Sequence, residues 1–328
     1  MVTIGIDVSK ARLDIARLTT AASSPQVWHV ANAADAIAAL VEELAASAVT
    51  LVALEATGPY HAALVTALVD ADLPVTLINP AQIKAFRQTL GQRNKTDRAD
   101  ALLIARFAHL HGAQLRRVPP AEPRQQRLRE LVRYRADLLA RQTALTNQHT
   151  AATLQAETTV LPLLAADLAH LAGQRQAVEA AIQAVLATIP EAAVLLTIPG
   201  VGWRTVAVVL AELPCALWGN AKAAAAYAGV HPEHHQSGTR LTSRMSKRGN
   251  PQLRQALYCA AVPSLRWNTT LAATFDRHVQ RGMAKLAALG AVMHQLLRRM
   301  MGTLRAWYRE HDTAPLALVE DTAMPIAA

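Results

Sequence analysis

The sequence predicts a mixed α/β domain followed by an all-α region. Short apolar runs of strand length alternate with stretches of helical spacing as far as residue 111, and after Pro119-Pro120 the strand-length runs stop. The composition agrees: hydrophobic residues make up 52% but aromatics only 4%, so alanine supplies much of the apolar surface and helices with small-residue faces are expected. At 328 residues, a prior of about one domain per 100 to 200 residues gives two or three domains, with room for a sizeable core.

Taken in order, V-T-I-G-I-D-V (2–8) reads as a buried strand, and S-K-A-R-L-D-I-A-R-L (9–18) alternates well enough to return as its antiparallel neighbour. Q-V-W-H-V (26–30) supplies a third strand. Residues 34–46 are apolar at helical spacing, and T-L-V-A-L-E-A-T (50–57) is a short buried strand that carries an acid, Glu55. Gly58-Pro59 ends it, a helix follows from Tyr60 to Val69, and P-V-T-L-I-N (74–79) is a fifth strand. Helices then run from about Pro80 to Leu90 and from Thr96 to His111. Three strands, a helix, then alternating strand and helix units is the order of the ribonuclease H-like fold.

N-K-T-D-R-A-D (94–100) sets Asp97 and Asp100 three apart at the mouth of a helix, where both side chains share one face. The same stripe turns apolar through Ile104 and Phe107, so the carboxylates stand at the edge of a buried surface. Asn94 with Asp97 also reads as a capping pair, and acids in a first turn answer the helix dipole. Asp7 lies inside the first strand and Glu55 at the end of the fourth. Acids in buried strands are costly unless paired. Four of them without an evident basic partner call for a hard, oxygen-seeking cation, magnesium or manganese. Two such ions, about 3.5 to 4 Å apart, would clamp the attacking and leaving oxygens of a phosphodiester.

Residues 121–157 contain no glycine, and Leu131, Leu138, Leu145 and Ala152 recur every seven residues, the seam of a long helix suited to a partner helix or second subunit. Arg124, Arg127, Arg129, Arg133, Arg135 and Arg141 crowd its first turns; a solvated face is the commoner case, but so many with so few acids nearby favour a nucleic-acid backbone. After Pro162 a second helix returns from Leu163 to Thr188, completing a helical hairpin. L-L-T-I-P-G-V-G-W-R-T-V (195–206) has the helix, P-G-V-G turn and helix of a helix-hairpin-helix module, in which Gly200, Gly202 and Arg204 would approach a phosphate at a helix N-terminus. Its plain alternative is a glycine turn between two core helices.

Residues 226–258 interleave Ser237, Thr239, Thr242, Ser243 and Ser246 with Arg240, Arg244, Lys247, Arg248 and Arg254. A serine nucleophile needs a base or a metal to activate it, and spacing alone does not choose Ser237 over Ser246. His231, His234 and His235 have no cysteine nearby and read as loop or phosphate-contacting residues rather than zinc ligands. Residues 265–309 are helical in pattern, and the tail from about Asp312 reads as disordered.

The formal net charge of +9 and a pI near 10.1 point to a polyanionic partner. Cys215 and Cys259 are too few for a disulfide framework and lack metal-ligand spacing, which suits a reducing interior. The N-terminus is a strand pattern rather than a signal peptide, and the chain has no apolar run of about 18 residues, so a cytoplasmic, nucleoid-associated protein without a membrane segment is expected.

Five ordered motifs together resemble one family: G-I-D-V-S-K (5–10), E-A-T-G-P-Y (55–60), K-T-D-R-A-D-A (95–101), I-P-G-V-G (198–202), and S-G followed by S-K-R-G-N (237–250). The chain is similar along nearly its whole length to the DEDD transposases of the insertion-sequence one-hundred-ten family, relatives of the pilin-gene invertase and also called bridge-RNA-guided recombinases. The resemblance implies that Asp7, Glu55, Asp97 and Asp100 form the metal-binding tetrad of a RuvC-like domain and that Ser237 becomes joined to cleaved DNA. It further implies target and donor DNA and a structured noncoding guide RNA as partners. H-H-Q-S-G-T-R departs from the family's usual double serine and glycine.

The expected organisation is an RNase H-like (RuvC-like) catalytic domain over 1–118, a helical coiled-coil spacer over 119–190, a helical transposase domain over 191–311 and the tail over 312–328. The expected activity is magnesium-dependent, RNA-guided DNA transposition through a seryl-phosphate, with Arg240, Arg244, Lys247 and Arg248 holding nucleic-acid backbone in a homodimer or homotetramer. The alternatives are a hydrolytic RuvC-like nuclease or resolvase, and a non-catalytic nucleic-acid-binding scaffold. A sugar kinase or actin-like ATPase also begins with a G-I-D strand, but a second phosphate-binding repeat is lacking.

Overall fold

Strand β1 (Val2–Val8) takes its place because Ile4, Ile6 and Val8 line one face of an extended segment. In the computed structural model it is the middle strand of a five-stranded sheet. The structure describes residues 1–19, 24–56, 58, 60–91, 96–120, 122–214, 217, 220–238, 240–246 and 248–311, leaving aside the side chains of 234, 235, 237 and 240–244. The chain divides into two compact units, Met1–Ala121 and Glu122–Ala328.

In the first unit, β2 (Arg12–Thr19) pairs antiparallel with β1, and β3 (Gln26–Ala31) pairs antiparallel with β2. On the other side β4 (Leu51–Glu55) runs parallel to β1, and β5 (Val75–Ile78) parallel to β4. The order β3-β2-β1-β4-β5 is the ribonuclease H-like order that the succession of elements predicts.

Period-two alternation sorts the side chains between two covered faces. Ile4, Ile6, Leu13, Ile15, Val52 and Leu54 pack against α1 (Ala34–Ala45) and α2 (Ala62–Asp70) through Ile37, Leu40, Leu44, Leu64 and Leu68. Leu51, Ala53 and Ile78 face the other way, onto Ile83 of α3 (Pro80–Thr89) and Leu103, Ile104 and Phe107 of α4 (Asp97–His111). Helix α4 rests directly on the sheet, because a Cβ on Gly5 would overlap the Ala101 carbonyl and the Ala105 backbone. Ala16, Ala101 and Ala105 form the small-residue seam beside that contact. The N-cap of α4 is Thr96, whose hydroxyl accepts from the Ala99 amide, and Asp97 is the first helical residue. Asn94 of the expected Asn94–Asp97 pairing lies outside the described residues.

In the second unit, α5 (Pro123–Leu154) starts with proline at its first position and the Glu122 carboxylate accepting from the Gln125 amide. Helix α6 (Leu161–Leu186) runs back along it, tied by Arg135–Glu179 and by Arg175 donating to Gln142. Leu138 of the heptad seam is buried, and the chain itself supplies a partner helix.

Four of the arginines read from sequence as a phosphate-binding face are instead structural. Arg124 donates to the Thr188 carbonyl, Arg129 to the Ala211 carbonyl, Arg133 to Glu212 and Arg135 to Glu179.

Helices α7 (Pro190–Leu196), α8 (Trp203–Glu212), α9 (Ala221–Ala228), α10 (Pro251–Trp267), α11 (Thr269–Gln280) and α12 (Lys285–Glu310) complete the unit. Leu128, Val132, Ile182 and Leu186 at the base of the helical hairpin share one core with Leu195, Val206, Leu210, Leu253, Leu257, Val292, Leu296 and Met300. The continuous helical pattern expected over 265–309 breaks at Asn268, whose side chain caps α11 at the Leu271 amide. The region also departs from all-helical: β6 (Pro232–Ser237) and β7 (Arg240–Met245) form an antiparallel hairpin. No single described helix is long and apolar enough to cross a membrane. Lys247 and the tail from 312 lie outside the described residues.

Candidate active site

The alternation that buries Ile4 and Ile6 on one face of β1 sends Gly5 and Asp7 to the face that α4 covers. Asp14 sits directly across the β1–β2 ladder from Asp7 and is nearly fully buried. Glu55 follows Leu51 and Ala53 in phase on β4, and the first turn of α4 contributes Asp97 and Asp100. These groups lie within electrostatic reach of one another. The Asp7 carboxyl is raised from its ordinary 3.8 to about 6, first by burial and then by the negative charges of Asp100, Asp97, Glu55 and Asp14.

Basic partners are present, which corrects the expectation of acids without them. Arg12 donates through Nε to Asp14 and through Nη2 to Asp97, each at 2.8 Å, and Arg87 donates through Nη2 to Asp100 at 2.8 Å. The Arg12–Asp97 pair is open to solvent, whereas the Asp100 side chain is only 11% exposed. The Arg12 guanidinium is raised above its ordinary value by its hydrogen bond to Asp14 and by the charges of Asp14 and Asp97.

Carboxylate oxygens are the donors a hard divalent cation takes, and Asp7 is raised by its burial and by the acids around it even with two guanidiniums paired into the cluster. In chemical type the set fits magnesium or manganese. In arrangement, no three His, Cys, Asp or Glu groups among the described residues stand close enough to hold an ion, and two of the four expected ligands are turned to arginines. Sequence reasoning missed Asp14, Arg12 and Arg87. Only Asp14 was signalled, by its mirror position to Asp7 in a predicted hairpin.

The second cluster of expected residues is carried by β6 and β7. Ser237 pairs with Arg240, leaving a two-residue turn in which Gly238 has φ +57°. For Ser237, Arg240 and Arg244 the description ends at the backbone. Ser246, the rival nucleophile in sequence, is fully buried; its hydroxyl donates to Glu233 at 2.8 Å and accepts from the Arg248 amide at 3.2 Å. It is a brace at the neck of the hairpin.

Behind that neck Gly229 (φ +68°) and Gly249 (φ +117°) cross at backbone contact, where either Cβ would strike the other strand's main chain. Asn250 caps α10 at the Leu253 amide and donates to Glu212 at 2.8 Å. Glu212, 2% exposed, receives Arg133 in a two-pronged pair at 2.7 and 3.0 Å. Arg133 and Asn250 hold the Glu212 carboxyl below its ordinary value despite its burial. S-K-R-G-N thus supplies the anchor of the serine hairpin, with Arg248 itself exposed.

In the turn between α7 and α8, Gly200 has φ +88° and packs against Ser264 of α10, and Gly202 is the N-cap of α8. Arg204 lies over the Trp203 ring at 4.6 Å and donates to Glu179 at 2.9 Å, so its charge is shared within the chain.

A family model of the DEDD type, described as Transposase, matches residues 4–157, and one described as Transposase IS116/IS110/IS902 family matches residues 192–276. The chain is 28% identical over 269 residues to the pilin gene-inverting protein of Moraxella bovis, covering 77% of this chain and 79% of that one. The same figures hold for the Moraxella lacunata protein. An insertion element IS110 protein of Streptomyces coelicolor is 34% identical over 148 residues, 44% of this chain and 36% of that one. Among solved structures, Thermus thermophilus RuvC aligns over 36% of this chain and 100% of its own, with 20% identity and a TM-score of 0.28.

Proposed function

We propose, from the premise that this chain belongs to the IS110 transposase family, that it cuts and rejoins DNA through a seryl-phosphate intermediate, using Asp7, Glu55, Asp97 and Asp100 as its charge-handling group. The observation that carries this reading is the gathering of acids from two separated strands and one helix around Asp7. A solitary buried carboxylate would be a structural accident; a buried one that four neighbouring acids help to raise marks a site for chemistry.

In this reading Asp7, Glu55, Asp97 and Asp100 would hold magnesium or manganese, which when bound supplies positive charge to the scissile phosphate. The Ser237 hydroxyl attacks phosphorus, its Oγ–P bond forming as the P–O bond to the departing strand breaks. The departing hydroxyl can later reverse the exchange, so the bond energy is kept and religation needs no external source. Arg240, Arg244, Lys247 and Arg248 would grip the nucleic-acid backbone beside Ser237. The glycine turn at 198–202 would add backbone amides, and Arg204 would add charge on releasing Glu179. The division into a catalytic domain (1–118), a helical spacer (119–190) and a transposase domain (191–311) belongs to the same reading. So do a cytoplasmic, nucleoid-associated location, a structured guide RNA that selects target and donor DNA, and a homodimer or homotetramer that cuts several ends together.

The test is covalent trapping. Protein, RNA transcribed from the flanks of its gene, magnesium and end-labelled junction DNA are incubated and run on a denaturing gel. Wild type and Ser246→Ala should carry label on the protein, and Ser237→Ala should carry none. Cut DNA without linked protein, unchanged in Ser237→Ala, would instead establish hydrolysis by the acid cluster. Cutting that survives both Asp7→Asn and Asp97→Asn would sink the role of the acids.

A further inference from the structure

Arg12 and Arg87 are placed as if each were half of an absent charge. Arg12 reaches from β2 to the helix that carries Asp97, and Arg87 reaches from α3 to Asp100. Each therefore holds one oxygen of one of the two acids that α4 presents. We propose that these arginines are positioning residues that stand in for cations: they neutralise Asp97 and Asp100 in the metal-free protein and must release them when a divalent ion is taken up. The proposal rests on the reading of the acids as metal ligands.

Two features make it an exchange rather than a fixed structural pairing. First, Arg12 has a second acceptor. Its Nε is held by the buried Asp14, so when Nη2 gives up Asp97 the guanidinium stays anchored at the edge of the cluster. Second, the two pairs differ in how readily they open. The Arg12–Asp97 pair has side chains 44% and 58% exposed, where water screens the attraction. In the Arg87–Asp100 pair the side chains are 20% and 11% exposed, and a charge-assisted bond there is stronger. Asp97 is therefore released first and Asp100 second. The same competition accounts for the lack, among the described residues, of three acids close enough to hold an ion.

Manganese titration of the RNA-free protein by calorimetry, paired with melting curves in its absence, tests this without reference to activity. Arg12→Gln should bind Mn2+ with a half-saturation concentration lower by about fivefold, the scale of one exposed ion pair. Arg87→Gln should lower it by about tenfold or more. Both variants should melt below wild type without metal and approach it in saturating Mn2+. Arg12→Lys keeps the charge but not the fork and should fall between wild type and Arg12→Gln.

Half-saturation unchanged or raised in Arg12→Gln would overturn the exchange, and because that pair is exposed the variant carries the test even if Arg87→Gln fails to fold. Asp97→Asn separates the two ideas. If it weakens Mn2+ binding while the arginine variants leave it unaltered, the acids are ligands and the exchange is wrong; if it has no effect, both fall.

Discussion

Removing Arg133 strips a nearly buried carboxylate of its counter-ion, and the cost follows from the asymmetry of the pair. Glu212 is 2% exposed while the Arg133 side chain is 56% exposed, so the acid cannot recover its hydration and the arginine can. Leaving one charge of a fully buried pair unmatched costs about 3–5 kcal/mol. Here Asn250 still donates to Glu212 and water reaches the arginine side of the pair, so the expected cost of Arg133→Met is lower, about 2–3 kcal/mol. Glu212→Gln keeps the shape and removes the charge, so the double variant should recover part of the loss, with a coupling of about 1–2 kcal/mol. Four of the five tryptophans lie in the second unit, so denaturant unfolding followed by tryptophan fluorescence reports on it. The depressed Glu212 carboxyl adds a signature. Its stabilisation is present above the ordinary glutamate value and is lost as pH falls through the lower folded one, so Arg133→Met should be less sensitive to acid than wild type. Arg133→Met within about 0.5 kcal/mol of wild type, with no coupling to Glu212→Gln, would refute this account of the hairpin's anchorage.

Gly5→Ala forces β1 and α4 apart and should destabilise the first unit by about 2–3 kcal/mol, read as a lower melting temperature with the second unit unchanged. Ser246→Ala removes the hydroxyl that donates to Glu233 and accepts from the Arg248 amide, and should cost about 1–2 kcal/mol in denaturant unfolding. Asp7, protonated in the fold up to about pH 6 but only to 3.8 when unfolded, contributes stability that is full at low pH and lost as pH rises through 6. Melting curves of the metal-free protein between those values should show it, and Asp7→Asn should remove that slope.

The first unit was open to reading because its strands alternate cleanly: Ile4, Ile6 and Val8 against Gly5 and Asp7 give both the sheet and the face that the acid occupies. The arginine pairings were closed to it, since Arg12 and Asp97 are 85 residues apart and only the folded sheet brings β2 beneath α4. On α5, a run of arginines looks the same whether it faces phosphate or carbonyl oxygens; what decides is the position of Ala211 and Glu212 on another helix. The serine hairpin escaped notice because its strands, P-E-H-H-Q-S and R-L-T-S-R-M, have a sequence with almost no apolar residues to mark a buried face. The gap left at Asn268 between α10 and α11 was hidden for the opposite reason, as apolar spacing continues across it.

The crossing of Gly229 and Gly249 has a consequence for how such a protein diversifies. Because the chain leaves and rejoins the helical body at one point, everything between those glycines is a cassette with a fixed socket. Its outer part can be rewritten, provided the socket keeps two residues without side chains and the base keeps Val230 and Met245, which pack on the helical core, and Glu233 with Ser246. A departure at the tip such as H-H-Q-S-G-T-R is then a local edit, and libraries that randomise 234–244 while holding 229, 230, 233, 245, 246, 249 and 250 constant would test the hairpin's outer part on a kept scaffold.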